Sequence, residues 1–146
     1  MSYWRLYYHL IWGTKNREPF LNEQRTGIVE QSIVAVAAEF DALIHAMGYM
    51  PDHVHVAISI PPDTAVADVV QRIKGLSSFR INRTEDDSGS FKWQPEYGAI
   101  TFSERSLEDV VRYVRNQPER HRNKSIATQM EIYGSPASRA EPISGS

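Results

Sequence analysis

The chain has 146 residues, of which 41% are hydrophobic and 23% charged, with a formal net charge of −2 and no cysteine. That is the size and composition of one ordinary globular domain with its own core, and the missing cysteine excludes disulfides, thiolate metal sites and cysteine nucleophiles. No apolar run approaches the ~20 residues of a membrane span, and MSYWRLYYHLIWG at the N-terminus is too polar and aromatic for a secretion signal, so a cytoplasmic protein is expected.

The segment RLYYHLIWGTK (5–15) is rich in aromatic and β-branched residues and closes on Gly13, which predicts a first strand. Asn22 is expected to cap a helix whose buried stripe is Val29, Ile33, Val36, Ala37 and Phe40. ALIHAMGYM (42–50) predicts a second strand, Pro51-Asp52 a turn, and HVHVAISI a third strand ended by Pro61-Pro62. Thr64 is expected to cap a second helix with the stripe Val66, Val69, Val70, Ile73 and Leu76. An acidic loop at 84–90 leads to FKWQPEYGAITFS (91–103), a fourth extended segment with a turn near Pro95. Ser106 is expected to cap a third helix, LEDVVRYVRNQ, which Pro118 ends or kinks. A short helical piece at 121–132 and a disordered tail at 134–146 would complete the chain, giving one domain over 1–133. The order predicts an α+β fold: a ferredoxin-like βαββαβ antiparallel sheet with an additional C-terminal helix. The third strand would lie between the first and second.

Within that third strand, alternation sends Val54, Val56, Ile58 and Ile60 to one face and His53, His55, Ala57 and Ser59 to the other. The first set is a core face. The second places two imidazoles side by side, either as ligands for a divalent metal or as buried histidines bonded to neighbours. On the third helix, Leu107, Val110, Val111 and Val114 form the packing stripe, and Tyr113 falls roughly 110° from its centre. Gln117 follows four residues later on the same side. The two can point together into one site, or be an edge tyrosine and a surface glutamine. Basic residues gather in RYVRNQPERHRNK (112–124), and again at Lys15, Arg17, Arg72, Lys74, Arg80 and Arg83. They read as solvated faces or as the footprint of a phosphate backbone.

MPDHVHVAI, VVQRIKGLSS, WQPEYGAITFS and VVRYVRNQPERH follow one another as they do in the single-tyrosine HUH transposases, and YYHLIWGTKNREPFL is similar to that family's first strand and turn. The group includes insertion-sequence-200/605-type enzymes and REP-associated tyrosine transposases. The resemblance runs from about Tyr7 to His121, nearly the whole domain.

The resemblance implies that His53 and His55 are the HUH metal ligands, Tyr113 the nucleophile and Gln117 the residue completing the metal site. It implies Mg²⁺ or Mn²⁺, single-stranded or hairpin DNA as partner and a nucleoid-associated location; dimeric members share active sites between subunits while REP-associated members can be monomers, and the short chain favours such a homodimer. The reaction would be transesterification through a 5′-phosphotyrosine, without ATP; no Gly-x-x-x-x-Gly-Lys loop is present. Tyrosine ionises near pH ~10 unaided, so Arg112 or Arg115 and the metal are expected to favour phenolate. No convincing general base is visible; Asp52 is the nearest carboxylate in sequence. Lys15, Arg17 and Lys74 are candidate phosphate contacts. Trp93 and Tyr97 are candidates for stacking on unpaired bases, against the alternative of core or edge packing. Two other functions compete: a non-catalytic or domesticated nucleic-acid-binding module on the same fold, and a related endonuclease of plasmid or viral replication.

Overall fold

The computed structural model describes residues 3–85 and 90–116. Gln117, Pro118, the 121–132 piece and the 134–146 tail lie outside the described residues. The elements are β1 (Tyr7–Gly13), α1 (Glu23–Glu39), β2 (Leu43–Met50), β3 (His53–Ser59), α2 (Val66–Thr84), β4 (Gly98–Phe102) and α3 (Leu107–Arg115), with short 3₁₀ turns at Lys15–Arg17 and Glu104–Ser106. The four strands form one antiparallel sheet in the order β2-β3-β1-β4. This is the expected split βαβ arrangement, with β3 between β1 and β2.

Alternation along β1 and β3 produces two cores. Leu10 and Trp12 of β1 join Val54, Val56, Ile58 and Ile60 against Val29, Ile33 and Val36 of α1 and Val69, Val70 and Ile73 of α2. On the opposite face Ala57 and Ala46 meet Tyr113 and Val114 of α3, with Val110 and Val111 packed alongside. Every residue of β3 is buried. The late helix therefore covers the histidine face of its own chain.

Two local expectations need correction. Thr64 does not cap α2: the cap position is Ala65, without a side-chain bond, and the Thr64 hydroxyl bonds Asp63 instead (3.2 Å). Ser106 stands at the start of α3 but makes no capping bond, because a 3₁₀ turn leads directly into the helix. The fourth extended segment does turn near Pro95, as expected. Trp93 bridges Thr14, the Gln94 N–H still donates to the Gly13 carbonyl (2.9 Å), pairing then lapses, and β4 begins only at Gly98, opposite Ile11. Pro95 lies in the lapse and has no N–H for a ladder. Four residues, 94–97, there span what Trp12 and Gly13 span on β1, so the segment bows outward.

Asn22 does cap α1, its Oδ1 accepting from the Arg25 N–H at 2.8 Å. The other end of α1 closes on Asp41, whose φ of 57° lies in the left-handed region, while the Ala42 N–H reaches back to the Ala37 carbonyl (2.8 Å). Glycine takes this position without the penalty that a Cβ incurs. Asp41→Gly is therefore expected to stabilise the fold by about 0.5–1 kcal/mol, read as a raised denaturation midpoint in urea.

Candidate active site

Strand β3 projects His53 and His55 onto the face that α3 covers, and both rings are fully buried. Their centroids are 5.0 Å apart with the planes at 71°, close enough for two ring nitrogens to approach one ion. Small residues make this possible. Gly48 pairs with His55 across β2, and Gly13 pairs with His53 across β1. A Cβ on Gly13 would meet the Arg17 Cδ at 3.0 Å, the Asp52 carbonyl at 3.2 Å and the Gln94 Oε1 at 3.3 Å.

Each imidazole is held through its Nδ1. His53 Nδ1 lies 2.6 Å from Asp52 Oδ1, and the other Asp52 oxygen accepts from Arg17 Nε at 3.2 Å. Burial alone would raise the Asp52 carboxyl, but the His53 hydrogen bond and Arg17 outweigh it and hold the pKa at about 2. The carboxylate is therefore charged, and Arg17 Nη2 also comes within 3.3 Å of His53 Nδ1. A His53 that held an ion would keep its proton on Nδ1, towards Asp52, and offer Nε2. Arg17 reaches this position from a strained turn: Asn16 and Arg17 have φ of 57° and 56°. Asparagine tolerates that region; arginine rarely visits it. Hydrogen bonds from Thr14 N to Asp52 O and from Arg17 N to Thr14 O, both 3.0 Å, hold the turn.

His55 Nδ1 meets the Nε2 of a third histidine, His9 of β1, at 2.9 Å. His9 is 2% exposed, and burial lowers its pKa to about 4, so it is neutral at pH 7. Sequence reasoning missed it. The available signal was alternation in β1: with Leu10 and Trp12 in the core, His9 must face the other way. The Tyr113 ring stands edge-on to both, 5.7 Å from His9 and 5.9 Å from His55 between centroids. The residue expected to be nucleophilic and the two-histidine motif thus meet within one chain. Sharing between subunits is not needed to bring them together.

The donor chemistry fits a divalent ion that keeps open positions. Two neutral imidazoles leave an ion its full charge, and each ring has an outer partner on Nδ1. Among the described residues no group of three or more His, Cys, Asp or Glu side chains could hold a metal. Gln117, expected as the third ligand, lies outside the described residues.

The other candidates divide. Arg112 turns away from the tyrosine to Asp109 (3.2 Å) and Glu108 (3.7 Å), and Arg115 reaches the His45 carbonyl at 3.5 Å. Arg112 is thus engaged by acids of its own helix, whereas Arg115 reaches across to strand β2. Lys74 lies on α2, across the sheet, where its ammonium donates to the Glu96 carbonyl at 3.1 Å and fastens the bowed segment. Trp93 belongs to the packing alternative. Its Nε1 donates to Ser77 Oγ at 2.9 Å, and its ring stands edge-on to Trp12 and Phe91, with the side chain partly buried against the core. Lys15 is exposed in the turn before Arg17. Tyr97 is also exposed and lines a cleft of ≈ 170 Å³ with Arg17, Gln94, Glu96, Gly13 and Gly98, directly beside His53's strand partner.

A family model described as "Transposase IS200 like" matches residues 2–117. The chain is 30% identical over 122 residues to the ISDra2 transposase TnpA of Deinococcus radiodurans, covering 80% of this chain and 87% of that one. It is similar in structure to a transposase candidate from Deinococcus radiodurans R1, with a TM-score of 0.62, 28% identity, and coverage of 80% and 95%. It also shares the fold of a REP-associated tyrosine transposase solved with a REP hairpin, with a TM-score of 0.66, 19% identity, and coverage of 83% and 74%.

The buried, neutral His9 makes the fold acid-sensitive. Its pKa falls from 6.5 unfolded to about 4 folded, so its contribution is complete above pH 6.5 and is lost as pH falls through about 4. His9→Gln, which does not titrate, should show a flatter decline of unfolding free energy between those pH values in urea titrations. An unchanged slope would refute this source of acid sensitivity.

Proposed function

The chain belongs to the IS200-like transposase family, and from that premise we propose that it cleaves and rejoins single-stranded, hairpin-bearing DNA as a single-tyrosine HUH enzyme. The observation that carries the reading is the meeting, on one buried face, of Tyr113 with His55 and its neighbour His53. The hairpin bound by the REP-associated neighbour supports the choice of substrate.

In this reading His53 and His55 hold Mg²⁺ or Mn²⁺, joined by Gln117. When bound, the ion supplies Lewis-acid stabilisation of charge on a non-bridging phosphate oxygen. Tyr113 attacks phosphorus in line. Its phenol oxygen forms the new P–O bond, the bond to the 3′ oxygen breaks, and the phenol proton ends on the released 3′-hydroxyl. The DNA remains attached through a 5′-phosphotyrosine, which a second 3′-hydroxyl reverses to join strands in a new order. Burial beneath α3 keeps water from competing with that hydroxyl. Arg17 and Lys15 sit where they can meet the backbone, and Tyr97 offers an exposed ring to an unpaired base. Joining two ends calls for two tyrosines, and a homodimer supplies them, whether each serves its own histidines or its partner's.

Wild-type protein incubated with hairpin DNA and divalent metal should yield a covalent adduct on a denaturing gel. Tyr113→Phe should yield none while still shifting the DNA in a native gel. Adduct retained in that variant would move the nucleophile elsewhere, and an inert wild type across its element's own ends would favour a non-catalytic binding module. His53→Ala or His55→Ala should lower adduct formation by at least about 100-fold. Nitrogen ligands suit Mn²⁺ better than the harder Mg²⁺, so half-maximal activity should need less Mn²⁺. Equal or reversed requirements would argue against imidazole ligation.

A further inference from the structure

We infer that His9 is a positioning residue: its Nε2 accepts the Nδ1–H of His55 and so fixes the tautomer and ring angle in which His55 presents Nε2 to a metal ion. The inference rests on the reading of His53 and His55 as ligands.

The geometry begins with sheet register. His9 pairs directly with Ala57 on β3, and its ring leans past that small side chain to the diagonal neighbour two residues back, His55. Ala46 stands beyond Ala57 on β2, so nothing bulky on that side interrupts the reach. The two rings lie 5.1 Å apart between centroids, tilted by 33°, and share the 2.9 Å contact. One proton serves that contact, and only two arrangements exist. If His9 donates, neutral His55 carries its proton on Nε2 and has no lone pair there for an ion. If His55 donates, Nε2 is the free-electron-pair nitrogen. A ligating histidine uses the second arrangement.

The same logic explains why position 9 is an imidazole. Asp52 can be a carboxylate because Arg17 neutralises it at the half-exposed edge of the site. His9 is deep in the sheet, 2% exposed, where a carboxylate would face heavy desolvation and would repel an incoming phosphate. A neutral acceptor does the orienting without adding negative charge. His9 also packs at 75° against the Tyr113 ring, so one side chain borders both His55 and the tyrosine.

The test uses the full chain with His9→Leu and His9→Gln; glutamine keeps an acceptor near the place of Nε2, whereas leucine keeps only bulk. Imidazole ¹⁵N shifts of the metal-free protein should report His55 protonated on Nδ1 in the wild type and in His9→Gln, but on Nε2 in an appreciable fraction of His9→Leu. Mn²⁺ titrations followed by electron paramagnetic resonance should show affinity weakened about 10- to 100-fold by leucine and no more than about threefold by glutamine. Adduct formation should follow affinity, with saturating Mn²⁺ restoring part of the leucine variant's rate. A wild-type His55 protonated on Nε2, or a leucine variant binding Mn²⁺ like wild type, overturns the inference. So would equal losses in both variants, which mark a packing role only. Should wild type make no adduct while tautomer and Mn²⁺ results hold, strand transfer fails as the function and the role of His9 stands.

Discussion

The whole arrangement depends on strand β3 being covered on both sides. A strand buried on both faces normally reads as an unbroken apolar run, yet this one alternates valine and isoleucine with histidine, alanine and serine. The valine side is gripped by α1 and α2, which sets the register against β1 and β2. A slip of one residue would drive the imidazoles into the hydrocarbon core and expose the valines to α3. Packing on one side thus determines chemistry on the other. Neighbours with little or no side chain, Ala46, Gly48, Ala57 and Gly13, clear the floor on which the rings stand.

Charge follows from the same burial. Deep in the sheet the rings have little access to water, and His9 is kept neutral by that alone. At the strand's beginning the surroundings change: Asp52 lies at the edge and stays ionised because Arg17 and His53 both answer it. The site therefore grades from a neutral interior to an ion-paired rim over only a few residues. A polyanion would meet Arg17 and Lys15 at the rim before any phosphate reached the interior.

Most of this organisation can be read from local patterns. Period-two alternation identifies the histidine face, helical spacing puts Tyr113 on the flank of the α3 stripe, and element order leads to the sheet. What escapes is long-range. His9 is one polar residue in an aromatic strand, and its importance depends on which residue of β3, 46 positions later, lies diagonal to it. Trp93 escapes for the same reason, since its partners Trp12 and Ser77 come from two separate elements. Helical spacing likewise does not say which partners Arg112 and Arg115 take: the first bonds Asp109 of its own helix, the second the His45 carbonyl of β2. The caps at Thr64 and Ser106 fail where neighbouring turns already satisfy the chain.

The bowed segment at 94–97 is tied to Gly13 by its first residue, the Gln94 N–H donating to the Gly13 carbonyl, and rejoins the ladder at Gly98. Both anchors of the bow, at Gly13 and through Lys74, bond its backbone, and the pairing that carries the imidazoles runs through β1 and β2 instead. If the rim meets nucleotides as proposed, variation there would alter what is gripped and leave the histidine floor as it stands.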